Sequence, residues 1–291
     1  MARITSKQAQ EMMNAYANVY AKKEEQTITE ETQDVNEIFG KKEEKPSHFD
    51  RMQEKIKAFL LSAGLGTRLR PITNNIPKCL VEINNTPIIE YWLKNLENIG
   101  CSEALVNTHY LHEKVNNYLS KRINNKMLIK TTFEEKLLGT AGALLKNKHF
   151  FSNSKIILIH TDNMTNFNLQ NLIDADKKRP ESCLLTMLTF NADNPENCGI
   201  IKRNKEMILE DFFEKNKNPP SNIANAAIYI FDNQLLDFLS NNHKDITDFS
   251  TQVIPLLINK IYTFHTDEDF IDIGTEKNLI KAKKVFKTKP N

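Results

Sequence analysis

Short apolar runs rich in β-branched residues alternate with helical patterns, and this alternation constrains the fold more than any other feature. The candidate strands are 56–61, 104–107, 127–131, 155–160, 183–189 and 226–231. Between them, 87–96 and 112–121 carry apolar residues at helical spacing, as Ile88, Trp92 and Leu96 do. Strands that alternate with helices predict an α/β domain built on a mixed, mostly parallel sheet flanked by helices.

Residues 1–55 have a different texture. They contain no Leu or Trp, while charged residues accumulate at 22–25 and 41–45. Such a segment cannot bury enough apolar surface to offset the entropy of ordering it. We expect a mostly disordered, charged extension before a domain over 56–291. A capping box at Thr5 begins one short helix, which is either a docking element or only nascent. The extension is the candidate site for a partner or for homo-oligomer formation.

The charge balance and the cysteines exclude several classes of protein. Lys and Arg number 39 against 37 Asp and Glu, so the net charge of +2 favours neither nucleic acid nor an anionic membrane as a partner. The 4 cysteines form no C-x-x-C pair, and no apolar run is long enough to span a bilayer. We therefore expect a cytoplasmic protein with free thiols.

Glycine is scarce, at 8 of 291 residues where about 7 % is usual, so each glycine needs a reason. Gly64 and Gly66 follow the first candidate strand within Leu61-Ser-Ala-Gly-Leu-Gly-Thr-Arg-Leu-Arg-Pro71. Two glycines at a strand end let bare N–H groups approach a phosphate, and Arg68 adds a bidentate cation. The pattern predicts a phosphate-binding turn.

Two other phosphate-binding motifs do not fit this turn. A dinucleotide fingerprint would need glycine where Leu69 stands, and a P-loop would need Gly-Lys followed by Ser or Thr. A tight turn with an exposed arginine remains open on the glycine spacing alone.

Further residues at the start of the domain turn the pattern into a specific signature. The matching residues are Leu61, Ala63, Gly64, Gly66, Thr67, Arg68, Leu69, Pro71, Thr73, Pro77, Lys78 and Pro87. Together they closely resemble the opening of the sugar-1-phosphate nucleotidyltransferases, in particular guanylyltransferases acting on mannose or heptose 1-phosphate. The resemblance spans 56 to about 285 and implies a Rossmann-like sheet of the type found in that family.

The resemblance extends to later motifs and implies their roles. Asp162 matches a Gly-Asp-Asn motif in which Thr161 replaces the glycine. The residues implied to bind the nucleotide are Ala63, Gly64, Gly66, Thr67, Glu134, Gly139 and Thr140. Those implied to bind the sugar phosphate are Gly199, Glu214, Lys215 and Asn225.

The implied reaction joins a nucleoside triphosphate to a sugar 1-phosphate and releases pyrophosphate. Two polyanions must approach each other, so the site needs cations. The resemblance gives Arg68 to the triphosphate, Lys78 to the α-phosphate and Lys215 to the sugar phosphate. The nucleophile is already a phosphate anion at neutral pH, so no general base is needed.

Two aspartates are candidate ligands of Mg²⁺, which prefers carboxylates and substrate phosphates. Asp162 follows an apolar strand, and Asp272 follows Phe270 and Ile271. Either could instead be a turn or helix-cap residue.

The histidines are weaker candidates. His109 and His112 have no third ligand, which favours a strand-to-helix connection over a metal site. Strand alternation places His160 on the same face as Asp162, where it either orients the metal ligand or fills space. Trp92 is expected in the core.

The base is predicted from Glu134, which lies five residues before Gly139. A carboxylate only accepts hydrogen bonds, and guanine offers two adjacent donors, so the residue type favours GTP. If Glu134 points to solvent, backbone groups read the base instead. Alternatives within the family are thymidylyl, uridylyl and cytidylyl transfer.

The leading hypothesis is an enzyme that makes a nucleotide-diphosphate sugar for polysaccharide biosynthesis. A catalytically silent regulator that binds a nucleotide sugar is the alternative. The presence of both metal carboxylates together with Arg68, Lys78 and Lys215 favours the enzyme.

Overall fold

The computed structural model describes residues 55–122 and 126–286 of the chain. The extension predicted over 1–55, with its helix after Thr5, lies outside the described residues except for Lys55.

The strands of the described part are β1 to β13. Their bounds are β1 Ile56–Leu61, β2 Glu82–Ile83, β3 Thr86–Pro87, β4 Glu103–Thr108, β5 Leu128–Phe133, β6 Lys155–His160, β7 Asn163–Thr165, β8 Leu185–Asn191, β9 Gly199–Arg203, β10 Leu209–Glu214, β11 Ile223–Phe231, β12 Ile261–Thr266 and β13 Phe270–Asp272.

Nine of these strands form one mixed sheet. Strands β5, β4, β1 and β6 lie side by side and are all parallel. Strand β11 then joins β6 in antiparallel fashion and carries β8 and β9, which pair further with β12 and β10. Because these four strands are parallel, their carboxyl ends lie at one edge of the sheet, and the glycine-rich turn leaves β1 at that edge. This arrangement confirms the predicted fold class.

Helices cover the sheet and connect its parallel strands. Their bounds are α1 Ile88–Asn98, α2 His112–Ser120, α3 Gly139–Lys146, α4 Leu169–Asp176, α5 Asn233–Asn242 and α6 Glu276–Val285. Helix α1 begins after Pro87, whose fixed φ suits a helix entry, and ends before Gly100, which has a φ of 72°. No helix within the described ranges is long and apolar enough to cross a membrane.

Two hydrophobic layers pack on opposite faces of the sheet. Alternation along β1 sends Ala58 and Leu60 into one layer and Phe59 into the other. Trp92 is 2 % exposed in the first layer, as expected for a core residue. Its indole N–H donates to the carbonyl of Asn163 at 2.9 Å, which ties the core to the residue that follows Asp162.

In the antiparallel part of the sheet, β8 and β11 match the candidate strands 183–189 and 226–231, whereas β9 and β10 were not predicted. Strands β9 and β10 pair at the edge, where residues of β10 such as Glu210 and Asp211 are exposed. Their mixed polarity gives no continuous apolar run, which is the signal that identified the buried parallel strands.

One arginine connects the two helices that follow β3 and β4. Arg122, just after α2, makes hydrogen-bonded ion pairs with Glu90 and Glu97 of α1 at distances from 2.7 to 3.2 Å. The three side chains are only 9 to 13 % exposed. The hydrogen bond from Arg122 lowers the pKa of Glu97 below its ordinary value, although partial burial opposes this.

We expect Arg122→Met to lower the free energy of unfolding by about 2 kcal/mol at pH 7, because two largely buried carboxylates lose their cation. Glu97 has a lower pKa in the folded than in the unfolded state, so its contribution is present above pH 4.5 and is lost as the pH falls through the folded value. The difference between wild type and variant, measured by urea unfolding, should therefore stay constant from pH 7 to about pH 4.5 and narrow as the pH falls further.

Lys177→Met is the matched control. Lys177 pairs with Asp174 across an exposed helix surface, where both side chains are more than half exposed. Its loss should cost about 0.5 kcal/mol or less at either pH. An equal cost for both variants would contradict the role given to Arg122.

Candidate active site

A pocket of about 260 Å³ lies at the carboxyl ends of the parallel strands β1, β4 and β6. Ligand sites of open α/β sheets lie at this edge, where connections leave the strands. The residues that line the pocket are Leu61, Ser62, Ala63, Gly64, Lys78, Cys79, Asn107, Glu134, Leu137, Gly139, Thr140, His160, Thr161 and Asp162. Most of the predicted nucleotide-binding residues are therefore brought together.

The glycine-rich turn forms one wall of this pocket. Gly66 has a φ of 63°, and a Cβ atom there would lie 3.0 Å from Thr73 Cγ2. Thr73 fixes the turn by donating from Oγ1 to the Gly66 carbonyl at 2.6 Å. Ala63 and Gly64 line the pocket, whereas Gly66 and Thr67 shape the turn behind it.

The two predicted aspartates are brought together by a small antiparallel pairing. Strand β13 pairs with β7 so that Asp272 lies opposite Asn163, the residue after Asp162. The N–H of Ile273 donates to the Asp162 carbonyl at 2.8 Å and closes the pairing. Residues far apart in the sequence thus present two carboxylates to one point.

Two cations lie against these carboxylates. The Lys78 ammonium bonds Asp162 Oδ2 and lies 3.6 Å from Asp272 Oδ1. Arg68 reaches Asp272 Oδ2 at 3.6 Å with a side chain that is 66 % exposed. Gly274 makes room for it, because a Cβ at that position would lie 2.9 Å from the guanidinium nitrogen.

The charges shift the two carboxyl groups in opposite directions. Burial alone would raise the pKa of Asp162, but the adjacent Lys78 ammonium holds that pKa below its ordinary value. Burial and the negative charge of Asp162 raise the pKa of Asp272, and the two nearby cations only partly compensate. The raised pKa of Asp272 shows that the nearby cations do not fully stabilise its charged form.

The donor set fits a magnesium ion. Asp272 Oδ1 is enclosed and accepts no hydrogen bond, and the Lys78 ammonium stays 3.6 Å from it, so a metal ion would give this oxygen a direct partner. No cluster of three or more His, Cys, Asp or Glu side chains in the described ranges could hold a metal by itself. Mg²⁺ is commonly held by one or two carboxylates together with substrate phosphates, so Asp162 and Asp272 could suffice.

Glu134 is buried, not turned to solvent. Its side chain is 1 % exposed and lines the pocket. One carboxylate oxygen accepts from Asn107 Nδ2 at 2.7 Å, and the other accepts from the backbone N–H of Leu138 at 3.0 Å. No basic side chain of the described residues lies within ion-pair distance of Glu134, so its charge is met by neutral donors only.

Glu134 ends a chain of hydrogen bonds across the pocket floor. Ser62 donates its backbone N–H to Asn107 Oδ1 at 2.6 Å, and its hydroxyl lies 3.1 Å from Thr161 Oγ1. Thr161, which replaces the expected glycine, is 2 % exposed and donates to the Leu61 carbonyl at 2.8 Å. The chain links the carboxyl ends of β6, β1 and β4 to the loop after β5.

The segment 247–249, which the sequence did not point to, supports Gly139 and Thr140. A Cβ at Gly139, where φ is 74°, would collide with the Thr247 carbonyl, and this carbonyl accepts the N–H groups of Ala141 and Gly142. Thr140 Oγ1 accepts from the N–H of Phe249 at 2.7 Å. Asp248 caps the helical turn that begins at Phe249, and an aspartate before such a segment is a helix-start signal that is visible in the sequence.

The predicted sugar-phosphate residues do not line the pocket. Gly199 approaches Glu214 closely, since a Cβ at Gly199 would lie 2.8 Å from Glu214 Oε2. Lys215 is 71 % exposed with its ammonium 3.9 Å from Glu214. Burial raises the pKa of Glu214 despite this cation. Asn225 donates to the Tyr229 hydroxyl at 2.7 Å and lies at a bulge in β11.

Electrostatics still links these residues to the aspartates. Burial raises the pKa of the Cys198 thiol, and the charges of Asp272 and Glu214 raise it further. The beginning of β9 is therefore within electrostatic reach of both the aspartate pair and the sugar-phosphate candidates.

His109 and His112 contact neighbouring protein groups. His109 bonds the Glu134 carbonyl through Nδ1 at 2.7 Å, and the His112 ring lies tilted against Phe133 with ring centroids 4.3 Å apart. Burial lowers the pKa of His160, whose Nε2 has no hydrogen-bond partner among the described residues.

Comparison with known proteins places this arrangement in a family. The chain is 28 % identical to a mannose-1-phosphate guanyltransferase of Pichia angusta over 78 % of this chain and 63 % of that protein. It is 26 % identical to a glucose-1-phosphate adenylyltransferase of Bacillus mycoides over 79 % of this chain and 67 % of that protein. The chain thus spans slightly less than two thirds of the Pichia relative.

Solved structures share the fold. HddC from Yersinia pseudotuberculosis superimposes with a TM-score of 0.68 at 23 % identity, covering 79 % of this chain and 99 % of that one. The sequence model of nucleotidyl transferases matches residues 57–289. This match confirms the resemblance drawn from the motifs, and the chain belongs to the nucleotidyl transferase family.

Proposed function

We propose that the protein transfers a nucleoside monophosphate from a nucleoside triphosphate, GTP by preference, to a sugar 1-phosphate. The observation that carries the proposal is the Lys78 ammonium held between two carboxylates beside a pocket walled by the glycine-rich turn. The product is a nucleotide-diphosphate sugar, an activated sugar of the kind used to build polysaccharides. A silent nucleotide-sugar regulator would not need this pair of carboxylates.

The reaction forms one phosphorus–oxygen bond and breaks another. An oxygen of the sugar phosphate attacks the α-phosphorus, and the bond from that phosphorus to the bridging oxygen of the β-phosphate breaks, so that pyrophosphate leaves. In this proposal Arg68 holds the triphosphate and the departing pyrophosphate, and Lys78 meets the charge on the α-phosphate oxygens. Lys215 holds the sugar phosphate, with Gly199, Glu214 and Asn225 around the sugar.

We propose Mg²⁺ as the cofactor, held by Asp162 and Asp272. When bound, it would neutralise phosphate charge as the leaving group departs. Two observations support this assignment: the two carboxylates meet at one point, and an enclosed oxygen of Asp272 accepts no hydrogen bond.

The preference for GTP rests on the surroundings of Glu134. A carboxylate that is 1 % exposed and has no cation partner is under-satisfied, because it can accept about four hydrogen bonds and accepts two. Guanine offers N1–H and an amine on adjacent atoms, and a base of this type would supply the missing donors. The solved structure of HddC from Yersinia pseudotuberculosis was determined with GMP-PN, which is consistent with a guanine site in that protein.

We expect Asp162→Asn and Asp272→Asn to slow Mg²⁺-dependent pyrophosphate release about a hundredfold or more, since each removes a metal ligand charge while preserving size. Circular dichroism should show an intact fold. Asp267→Asn, at an aspartate that is 89 % exposed, is the control and should keep wild-type rates. Near wild-type rates in both test variants would refute the metal assignment.

We expect Lys215→Ala to raise the KM for sugar 1-phosphate about tenfold or more with a smaller change in the KM for the nucleotide, because Lys215 faces the acceptor. Arg68→Ala and Lys78→Ala should instead lower kcat. Lys217→Ala, at a neighbouring exposed lysine, is the control. Initial rates over a grid of both substrates provide the measurement, and a selective loss of nucleotide affinity in Lys215→Ala would reverse the assignment of the two ends of the site.

We expect wild-type kcat/KM to be at least about tenfold higher for GTP than for UTP or dTTP, because a mismatched base leaves the Glu134 carboxylate unpaired. Glu134→Gln should narrow this ratio, since the amide turns an N–H toward either Asn107 or the Leu138 N–H. The exposed neighbour offers a control, Glu135→Gln, which should retain the ratio. A wild-type preference for UTP, dTTP or CTP would contradict the guanine assignment.

A further inference from the structure

The polar floor of the pocket contains one amide whose hydrogen-bonding capacity is not used up. Asn107 is 3 % exposed and lines the pocket at the end of β4. Its Oδ1 accepts from the backbone N–H of Ser62, and its Nδ2 donates to Glu134 Oε1. The amide nitrogen carries two hydrogens, and no described residue accepts the second one.

The orientation of this amide is fixed by its neighbours. The backbone N–H of Ser62 can only donate, so the oxygen of Asn107 must face it, and the nitrogen then faces the carboxylate. A flipped amide would place N–H against N–H at 2.6 Å and oxygen against carboxylate at 2.7 Å. The remaining N–H therefore stands directly beside the acceptor atoms of Glu134.

The two side chains together present one donor next to two acceptors. Guanine carries the complementary edge, with the O6 acceptor beside the N1–H and N2–H donors. Uracil and thymine offer a second carbonyl where guanine has its amine, cytosine has no N–H at the central position, and adenine has no third group. The pair therefore discriminates between the bases better than the carboxylate alone.

We propose that Asn107 is a specificity-determining residue that donates its free amide N–H to the O6 carbonyl of guanine while Glu134 accepts from N1–H and N2–H. The inference rests on the proposed preference for GTP and adds a second reader of the base. It assigns O6 to Asn107 and the two donors N1–H and N2–H to Glu134, so analogues that change one of these groups can separate the two roles.

The test compares GTP with two analogues in wild type and in Asn107→Leu. In 6-thio-GTP sulfur, a poor acceptor, replaces O6, and ITP lacks the N2 amine. Wild type should prefer GTP over 6-thio-GTP about fivefold or more in kcat/KM, as expected for one hydrogen bond. In Asn107→Leu, which has a similar size, no N–H to donate and no charge to set against Glu134, this ratio should approach one.

The ratio of GTP to ITP separates direct reading from an indirect effect. This ratio reports on Glu134 and should change less in Asn107→Leu than the ratio of GTP to 6-thio-GTP. If instead the ratio of GTP to ITP falls to near one while the ratio of GTP to 6-thio-GTP stays at its wild-type value, Asn107 acts only by positioning Glu134 and the inference is overturned. Thr108→Val, a buried neighbour whose hydroxyl bonds the Thr132 carbonyl and does not line the pocket, should leave both ratios unchanged.

Folding of the variant does not limit the test. Should Asn107→Leu not fold, Asn107→Ser removes the same N–H, and the wild-type penalty on 6-thio-GTP is measurable without any variant. The absence of that penalty in a wild-type enzyme that prefers GTP overturns the inference and leaves the proposed function standing. A wild-type preference for another base refutes both.

Discussion

The site depends on the attraction of one lysine for two carboxylates that would otherwise repel each other. The pairing of β7 with β13 brings Asp162 and Asp272 to one point, and the Lys78 ammonium lies between them. Lys78 is 11 % exposed, so solvent screens this interaction less than a surface pair. The glycine-rich turn, the Arg68 side chain and the pocket floor are all arranged around this charged centre.

The segment 247–249 connects the residues proposed to bind the nucleotide with those proposed to bind the sugar. Thr247 caps the first N–H groups of α3, and the Phe249 N–H donates to Thr140 while its ring lies 4.6 Å from the Tyr229 ring. Tyr229 in turn accepts a hydrogen bond from Asn225. The N–H groups of Ala141 and Gly142 are already bonded by protein, so in the proposed function the phosphates bind the turn after β1 and the cations.

The sequence predicted the parallel half of the sheet, strands β8 and β11, and the core tryptophan, because each has a local signal. It also singled out Lys78, Asp162 and Asp272, which the structure brings together. Continuous apolar runs identified buried strands, and the spacing of Gly64, Gly66 and Arg68 identified the turn. The hydrogen bonds of Asn107 and the support given by Thr247 were not predictable. Both depend on partners distant in the sequence, and a polar residue at a strand end has the same local pattern whether it binds a ligand or a neighbouring loop.

The wide separation of the site residues along the chain has a consequence for biosynthesis. Lys78 and Asp162 are 84 positions apart, Thr140 and Phe249 are 109 apart, and Asp272 emerges later still. The parallel strands β1, β4, β5 and β6 leave the ribosome first and can pair with each other, whereas the wall at Thr247 and the second carboxylate arrive only with the last part of the domain. A nascent chain that has emerged only as far as β11 therefore lacks part of the proposed nucleotide site. If the proposed function holds, binding of nucleotide can stabilise the domain only once synthesis has passed β13.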